Sequence, residues 1–510
     1  MLSLAYSAAM LGIEGYVVRV EADSSPGTPA FSIIGLPDRA LREACDRVRS
    51  AIFNSGLAYP AGKLLVNLSP ADVRKAGPAF DLAIALALIA IDEQIDRIAL
   101  RRFIALGELA LDGTLQSVNG ILPMVLGARA AGFRKLIVPA ANAGEAALVD
   151  GIELYAVDSL SSAVAVLGGT GTKWRRCTTA PALNANDDAH GDLADVRGQA
   201  TAKRALEIAA AGGHNLLLVG PPGCGKTMLA RRLPSILPPM SVSEALDVTK
   251  IYSVAGFLNG HAGIVQARPF RFPHHTISQT ALVGGGALAK PGEISLAHHG
   301  VLFLDELPEF SRSAIEVMRQ PLESGSVTIA RAAGTFTYPA HFQLVASMNP
   351  CPCGYRGTRN AECRCDDAMV AKYVGKLSGP LLDRIDLQIE IARVPFDDMV
   401  RYDGGEHSPQ IRARVLAARE RQHARFTGTR LACNADIPAN AMRRHCALDE
   451  AAMRLLALAS AKRQFSARAL DRIARVARTI ADLSAASEIR AEHVAEAIQY
   501  RSLERIGAAA

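Results

Sequence analysis

The chain has 510 residues, 49% of them hydrophobic, and a formal net charge of +6. At about 150 residues per domain, this length predicts about three folded units, and the mild basic excess permits a polyanionic partner without requiring one. No basic residue precedes the apolar N-terminal residues, and the longest apolar stretch, Leu82 to Ile91, is far shorter than the ~20 residues that cross a bilayer. We therefore expect a cytoplasmic protein without a signal peptide or a membrane partner.

The first unit, residues 1–168, mixes β-rich runs with helical stretches. Phe31 to Leu36, Lys63 to Leu68 and Lys135 to Val138 are typical of strands, whereas Leu160 to Leu167 predicts an apolar helix. This mixture predicts an α/β domain that folds as a unit of its own.

A change of composition separates this unit from the next. Residues 169–192 lose periodicity and gather Gly, Thr, Asn and Asp, which predicts an exposed linker that contains the only tryptophan, Trp174. Within residues 193–395, the helix-like segment Gln199 to Ala211 leads into the apolar strand Asn215 to Val219, a glycine-rich turn and another helix. This order predicts a parallel α/β sheet.

Beyond residue 395 the β pattern stops, and residues 396–510 predict a C-terminal helical domain. The expected amphipathic helices are Gln410 to Ala424, Asp449 to Lys462, Ala467 to Leu483 and Ala491 to Tyr500.

The turn after the apolar strand fits the phosphate-binding pattern G-x-x-x-x-G-K-[ST] in the strand–turn–helix context that it requires. Its residues are Gly220, Pro221, Pro222, Gly223, Cys224, Gly225, Lys226 and Thr227. Glycines let backbone N–H groups converge on phosphate oxygens, Lys226 supplies positive charge, and Thr227 is a Mg²⁺ ligand. We therefore predict an ATP and Mg²⁺ site, in which Cys224 is a tolerated small residue.

Two further apolar strands end in polar side chains. Val301 to Leu304 runs into Asp305 and Glu306, which predicts a Mg²⁺ ligand at Asp305 and a base for the attacking water at Glu306. The strand Phe342 to Ser347 leads to Asn349, whose amide is expected to contact the γ-phosphate or the water. An acidic pair after a strand is ordinarily a turn or a helix cap, but downstream of a phosphate-binding turn the catalytic interpretation is favoured.

Together, the motifs GPPGCGKT, RPFRFPHHTIS, GVLFLDELPEF, NPCPCG, SGPLLDRIDL and SARALDRIARVARTIADL resemble the YifB/ComM family of magnesium-chelatase-like AAA+ ATPases. The resemblance covers nearly the whole chain. It implies an AAA+ core at residues 193–395 and a helical lid at residues 396–510. It also implies a hexameric homo-oligomer that hydrolyses ATP and drives branch migration of DNA during natural transformation.

Two arginines gain predicted roles from this resemblance. Arg384, in SGPLLDRIDL, is expected to reach the ATP of the neighbouring subunit as an arginine finger, although a single Arg is ordinarily a surface residue. Arg468, at the start of a long helix, is expected to contact the phosphates of its own subunit and to sense the nucleotide state. An ordinary intrahelical ion pair is the alternative for Arg468.

The first domain resembles a Lon-protease-like module of α+β type through FSIIGLPDRALREACDRVRSA and VNLSPADVRKAGPAFDLAIALAL. Lon-type proteolysis needs a nucleophilic Ser and an activating Lys. Ala79 occupies the expected Ser position and Leu122 the expected Lys position. We therefore expect a retained fold without peptidase chemistry.

Two segments of the core are candidate pore elements. Phe270 to His299 resembles the helix-2 insertion shared by magnesium chelatases and related motors, and is expected to project from the core. Ser326 to Ala340 predicts a β-hairpin with its turn at Ala333 and Gly334.

Three side chains of these segments are candidate DNA contacts. Arg331, His274 and His275 are expected to meet the phosphate backbone of single-stranded or branched DNA. Contacts between subunits are the alternative role for all three.

Four of the nine cysteines crowd into one loop as two C-x-C pairs. They are Cys351, Cys353, Cys363 and Cys365. Four thiolates close a tetrahedral Zn²⁺ site and staple a loop that has few apolar residues, whereas free thiols are the alternative.

Two other functions compete with the DNA motor. A magnesium-chelatase motor subunit would pass conformational work to a metal-inserting partner, but the fused Lon-like domain argues against it. A nucleotide-gated assembly scaffold would be favoured if Glu306 or Arg384 were absent, and both are present.

Overall fold

The computed structural model describes residues 1–73, 75, 77–171, 191–258, 263–286, 289–331, 334–357, 363–395 and 405–501. Most of the predicted linker, with Trp174, lies outside these residues, as does Ala333 of the predicted hairpin turn. In the part of the chain that is described, no helix is both long and apolar enough to cross a membrane.

The N-terminal part is built on a seven-stranded mixed sheet with the strand order β3-β4-β2-β1-β5-β8-β9, accompanied by the small hairpin β6–β7. These strands are β1 (Leu2–Leu11), β2 (Glu14–Ser25), β3 (Ala30–Ile34), β4 (Lys63–Ser69), β5 (Phe103–Ala105), β6 (Glu108–Leu109), β7 (Leu115–Gln116), β8 (Lys135–Pro139) and β9 (Glu153–Val157). The strands expected near residues 31–36, 63–68 and 135–138 are thereby confirmed.

Among the described residues, six α-helices accompany this sheet: α1 (Arg39–Asn54), α2 (Asp81–Ile89), α3 (Arg97–Leu100), α4 (Ile121–Ala130), α5 (Ala143–Ala146) and α6 (Leu160–Leu167). The apolar stretch Leu82 to Ile91 lies largely within α2, in which every residue is buried. A helix that is apolar on all sides is stable only inside a core, and α2 belongs to the main apolar cluster of this part.

The central part contains a five-stranded parallel sheet in the order β11-β14-β17-β10-β18. Its strands are β10 (Leu216–Val219), β11 (Phe270–Arg271), β14 (Val301–Leu304), β17 (Gln343–Met348) and β18 (Leu387–Glu390). Every residue of β10, β14 and β17 is buried, as expected for parallel strands that are covered on both faces. The predicted parallel-sheet core is therefore confirmed.

One expectation for the insertion was wrong. Phe270 and Arg271 do not project from the core but form its edge strand β11, parallel to β14. The rest of the predicted insertion holds short elements, including the two-residue strands β12 (Gly284–Gly285) and β13 (Lys290–Pro291). The second candidate pore element is a hairpin as predicted, with strands β15 (Ser326–Arg331) and β16 (Gly334–Pro339).

Nine helices of the described chain belong to this central part: α7 (Ala200–Gly212), α8 (Lys226–Arg232), α9 (Val242–Ala255), α10 (Gln279–Val283), α11 (Glu293–Leu296), α12 (Arg312–Val317), α13 (Arg319–Ser324), α14 (Asp367–Val374) and α15 (Gly379–Leu382). The C-terminal part adds α16 (Ser408–Phe426), α17 (Met442–His445), α18 (Glu450–Arg463), α19 (Ala467–Leu483) and α20 (Ala491–Gln499). The four predicted amphipathic helices correspond to α16, α18, α19 and α20.

A buried polar bridge joins the C-terminal helices to the central sheet. The His214 ring, which precedes β10, hydrogen-bonds Asp386 at 3.1 Å and the Thr479 hydroxyl of α19 at 2.7 Å. Apolar residues of β10 and α19 also share one cluster. Because buried polar groups need partners, this bridge fixes where α19 lies against the sheet.

Candidate functional site

The phosphate-binding turn leaves β10 and enters α8 directly. Gly225, at φ 94°, precedes the first residue of the helix, Lys226. A Cβ atom at Gly220 would lie 2.5 Å from the carbonyl oxygen of Ile391, so the start of the turn accepts only glycine. The turn is therefore narrow where it leaves the sheet and open where the helix begins.

The Lys226 side chain lies inside this turn. Its Nζ donates hydrogen bonds to the carbonyl oxygens of Gly220 at 2.6 Å and Pro221 at 3.0 Å, and to Oδ1 of Asn349 at 3.1 Å. Burial lowers the Lys226 pKa, although Cys224, Asp305 and Glu306 act in the opposite direction. The structure thus brings Lys226 and Asn349 together.

The Asp305 carboxylate accepts hydrogen bonds from hydroxyl groups of two neighbouring elements. Thr227 Oγ1 of α8 donates to Asp305 Oδ2 at 2.7 Å, and Ser347 Oγ of β17 donates to Asp305 Oδ1. Sequence reasoning missed Ser347, although its place one residue before the end of β17 puts it at the same edge of the sheet as Asp305. A carboxylate beside two hydroxyl groups has the oxygen ligands that Mg²⁺ prefers.

Glu306 has an unusual backbone conformation. Its φ of 53° lies in the left-handed region, which costs a non-glycine residue about 1–3 kcal/mol. Its N–H donates to Asp305 Oδ1 at 3.1 Å and Ser347 Oγ at 3.3 Å, so hydrogen bonds hold the backbone there. The half-exposed Glu306 carboxylate lies 3.9 Å from Nδ1 of His275.

His275 is therefore a neighbour of the nucleotide site, a position that the sequence did not reveal. Its ring also meets Phe310 edge-on at 6.4 Å, whereas His274 Nδ1 pairs with the Thr276 hydroxyl at 2.9 Å. Arg331 is the exposed last residue of β15 and lies opposite Gly334. The DNA contacts of all three side chains stay predictions.

These residues fit ATP and Mg²⁺. An amine lies inside a glycine turn at a helix start, and a hydroxyl and a carboxylate lie beside it at the carboxyl edge of a parallel sheet. Lys226 and the N–H groups of the turn would hold the phosphates, and Thr227 and Asp305 would hold the cation.

Arg384 is nearly buried in its own chain, whereas an arginine finger has to reach the neighbouring subunit. The residue is 9% exposed, donates from Nη1 to the carbonyl oxygen of Pro380 at 2.5 Å and pairs with the Glu323 carboxylate of α13. Arg468, in the first turn of α19, is largely exposed and lies 3.8 Å from Asp383. The structure therefore places both arginines close together, with Arg384 paired inside its own chain.

The four-cysteine loop follows Asn349 after one residue. Sγ of Cys351 lies 3.4 Å from that of Cys353 and 3.7 Å from that of Cys363, and the last two are 3.6 Å apart. A tetrahedral zinc site with Zn–S bonds of ~2.3 Å has sulfur atoms ~3.8 Å apart, so these separations suit one ion. Cys365 belongs to the same cluster, whose ligand atoms all lie within 4.8 Å of one another.

This loop also contacts the phosphate-binding turn. A Cβ atom at Gly354 would lie 2.7 Å from the ring of Pro222, so the two backbones approach closely. The cysteine cluster is therefore positioned to hold the segment that carries Asn349 against the turn.

A histidine cluster lies at the amino ends of β14 and β17. His298 is 6% exposed, and its Nδ1 accepts a hydrogen bond from the His341 backbone N–H at 3.0 Å. Burial, with repulsion from His299 and His341, lowers the His298 pKa to about 3. His298 is therefore a neutral, structural histidine at physiological pH.

The sheet order, the phosphate-binding turn and the acidic pair define the central part as an AAA+-type ATPase core. Three family models match the chain. They are magnesium chelatase subunit ChlI over residues 192–399, subunit ChlI of Mg-chelatase over residues 20–142 and magnesium chelatase subunit ChlI C-terminal over residues 405–501.

Similar proteins agree with these matches. The chain is 45% identical to competence protein ComM of Haemophilus influenzae over 511 residues, which cover 99% of this chain and 98% of that protein. It is 44% identical to the uncharacterized protein YifB of Escherichia coli over 511 residues, with the same coverage of both chains. The chain therefore belongs to the YifB/ComM family of magnesium-chelatase-like proteins. A magnesium-chelatase 67 kDa subunit of Chlorobaculum tepidum is 28% identical over 162 residues, 31% of this chain and 23% of that protein.

Proposed function

We propose that this protein is a ring-forming AAA+ motor that hydrolyses ATP to move DNA strands, as in branch migration during natural transformation. The observation that carries the proposal is the convergence of Lys226, Thr227, Asp305 and Asn349 at one edge of the parallel sheet. ATP with Mg²⁺ supplies the transferable phosphoryl group and a bridging cation. The protein has to place charge and orient water, since phosphoryl transfer depends mainly on positioning.

Each side chain has a distinct part in this proposal. Lys226 neutralises phosphate charge, and Thr227 and Asp305 hold the cation. The Glu306 carboxylate accepts a proton from the attacking water, because its half-exposed side chain leaves the sheet beside Asp305. Asn349 orients that water or the γ-phosphate, and its bond to Lys226 supports this placement.

The two arginines complete the proposed site across subunits. Arg384 stabilises charge at the ATP of the neighbouring subunit, and Arg468 senses the nucleotide of its own. Their proximity through Asp383 supports a joint role, and the ring that this requires is proposed to be a hexamer. The pairing of Arg384 with Glu323 means that docking of a neighbour has to release the guanidinium.

The domain assignments are part of the same proposal. Residues 1–168 form a Lon-like domain without peptidase activity, residues 169–192 a linker, residues 193–395 the ATPase core and residues 396–510 the lid. Ala79 and Leu122 lie in one apolar cluster, which supports the absence of a working Ser–Lys dyad. The four-cysteine loop is proposed to hold one Zn²⁺, which the sulfur separations support.

The DNA-directed role rests on likeness to the competence protein of Haemophilus influenzae, together with the exposed Arg331 at the end of β15. The test is the ATPase rate without DNA and with single strands, duplex or four-way junctions. We expect junctions to give the greatest stimulation and to be unwound only when ATP is present. Indifference to every DNA would favour a chelatase-type motor subunit or an assembly scaffold.

Glu306→Gln tests whether Glu306 activates the attacking water. The variant should still bind ATP and assemble, but should hydrolyse ATP ~10² to 10⁴ times more slowly. Near-normal turnover would remove Glu306 from the proposed role.

A further inference from the structure

An exposed patch of three side chains flanks the proposed nucleotide site. The Phe272 patch consists of Phe272 and Met228, which are 40% and 38% exposed, and of the exposed Arg231. The Arg231 guanidinium lies over the Phe272 ring at 5.5 Å, and Met228 lies three residues before Arg231 on the same side of α8. A single exposed phenylalanine needs no explanation, but aromatic residues, Met and Arg are the types that are enriched at protein interfaces. Three of them side by side therefore indicate a contact surface.

This patch lies at one edge of the central sheet, on the side where ATP is proposed to bind. Phe272 directly follows the edge strand β11, and its ring lies 4.9 Å from that of Phe303 in β14. Strand β14 then runs into Asp305, and α8 begins with Lys226. The Phe272 patch therefore borders the nucleotide site from the side of β11.

Arg384 lies at the opposite edge and the opposite end of the same sheet. It precedes β18, the other edge strand, and its carbonyl oxygen accepts a hydrogen bond at 2.9 Å from Asn215, which precedes β10. The four residues of β18 span ~13 Å, so Arg384 is separated from the carboxyl edge that holds Lys226 and Asp305. The proposed arginine finger therefore has to act at the site of another copy.

The two sides of the sheet differ in how they could admit that copy. On the β18 side, the residue after α20 covers the sheet edge, since the Gln388 N–H donates to the Tyr500 carbonyl oxygen at 2.7 Å. On the β11 side, Phe272 and Met228 are exposed beside the site. A neighbouring copy would therefore approach from the β11 side and cover the Phe272 patch.

The surface around Arg384 is complementary in charge to the patch. The Arg384 face consists of residues 319–324 and 378–384, which are held together by the pairing of Arg384 with Glu323. The Glu323 side chain is 62% exposed, whereas the patch presents the cation Arg231. Opposite charges on two surfaces steer their encounter and fix their register.

We propose that the Phe272 patch is the surface on which a second copy of this chain docks with its Arg384 face. This inference rests on the proposed ring and names the surface that forms it. The two faces are different parts of the chain, so the contact is heterologous. A heterologous contact repeats from copy to copy and generates a ring when it closes.

The test places the photoreactive residue p-benzoylphenylalanine at position 272 of the full-length protein. Isotopically light and heavy copies are mixed with ATP and Mg²⁺, irradiated and digested, so that mass spectrometry distinguishes cross-links between copies from those within one copy. Phe53 is the matched control position, because it is 55% exposed and Arg49 lies over its ring at 5.9 Å in the N-terminal part. Arg231→Glu and Arg49→Glu are a second matched pair, in which assembly is measured by mass photometry.

We expect the probe at position 272 to give light–heavy cross-links to residues 319–324 or 378–384, and the probe at position 53 to give none there. Arg231→Glu should raise the concentration at which rings form by at least about tenfold, whereas Arg49→Glu should leave it unchanged. If the wild type forms rings, cross-links from position 272 to other segments only, or unchanged assembly of Arg231→Glu, would overturn this inference and leave the ring. A wild type that stays monomeric with ATP would overturn the ring and this inference together.

Discussion

Replacing Arg384 by Ala tests whether each active site is completed by a neighbouring subunit. Within one chain, the guanidinium is nearly covered, bonds the Pro380 carbonyl and pairs with Glu323. If it stabilises the transferring phosphoryl group in trans, its loss should slow turnover about 10³-fold, or about 4 kcal/mol of barrier, while ATP still binds. Turnover is measured by phosphate release, and binding with a fluorescent ATP analogue.

Mixing two inactive variants gives a quantitative version of this test. Arg384→Ala subunits keep an intact phosphate-binding turn, whereas Lys226→Ala subunits keep the arginine but lack a working site. In a randomly mixed ring at equal amounts, about one quarter of the interfaces place an intact turn opposite an intact arginine, so activity should recover to about one quarter of the wild-type rate if the sites act independently. Rescue should rise with the concentration that favours assembly.

Glu323→Gln separates a finger from a structural ion pair. The Glu323 side chain is 62% exposed, so replacing it should cost little stability and should leave Arg384 free to reach the neighbour. Turnover should therefore stay at or above the wild-type rate. A normal rate for Arg384→Ala, or no rescue in verified mixed rings, would refute the trans assignment, and an equal loss in Glu323→Gln would make the pair structural.

Three further predictions concern the surroundings of the site. His275→Ala should raise the ATPase rate without DNA several-fold, because the ring lies 3.9 Å from the Glu306 carboxylate and competes with water for it. His274→Ala is the control and should not raise the rate. Equal effects of the two variants would contradict this role of His275. Metal analysis of wild-type protein purified without chelators should find about one zinc per chain, and Cys353→Ser should lose this zinc and make the loop protease-sensitive. Wild type without zinc would contradict the zinc site. The pKa of His298 is about 3, below the ordinary 6.5, so between these values the unfolded chain binds a proton that the folded chain does not. The free energy of unfolding therefore decreases as the pH falls below about 6.5. Calorimetry from pH 7 to pH 5 should show about 2 kcal/mol less loss of this free energy in His298→Asn, and equal losses would exclude His298.

The sequence indicates the candidate nucleotide site because the parts of that site are local. Each is a few residues at the end of an apolar strand, and the parallel sheet brings those ends to one edge. The contacts of Ser347 with Asp305 and of His275 with Glu306 escape prediction because they form only after distant segments pack. A single Ser at a strand end and a His in a loop carry no spacing signal of their own.

Short elements and side-chain burial were harder to predict than strands of ordinary length. The edge strand β11 has two residues, Phe270 and Arg271, too few to show a period of two, so the sequence indicates only a projecting insertion over this segment. Similarly, the motif around Arg384 identifies a candidate finger, but the pairing with Glu323 depends on where α13 packs. Pairing between separate elements is a tertiary property that a local motif does not contain.

The N-terminal part is joined to the ATPase core by a buried polar contact. Ser253, near the end of α9, accepts a hydrogen bond from the Gly120 N–H at 3.1 Å and donates its hydroxyl to the Glu145 carboxylate. Glu145 also accepts from the Leu122 N–H at 3.0 Å, in the first turn of α4, and burial raises the Glu145 pKa. Separating the two parts would leave a buried carboxylate and a helix start without these partners, at about 1–3 kcal/mol for each group. The contact therefore ties α9, the next α-helix after α8 in the chain, to the first turn of α4, and it stabilises the docking of the N-terminal part on the ATPase core.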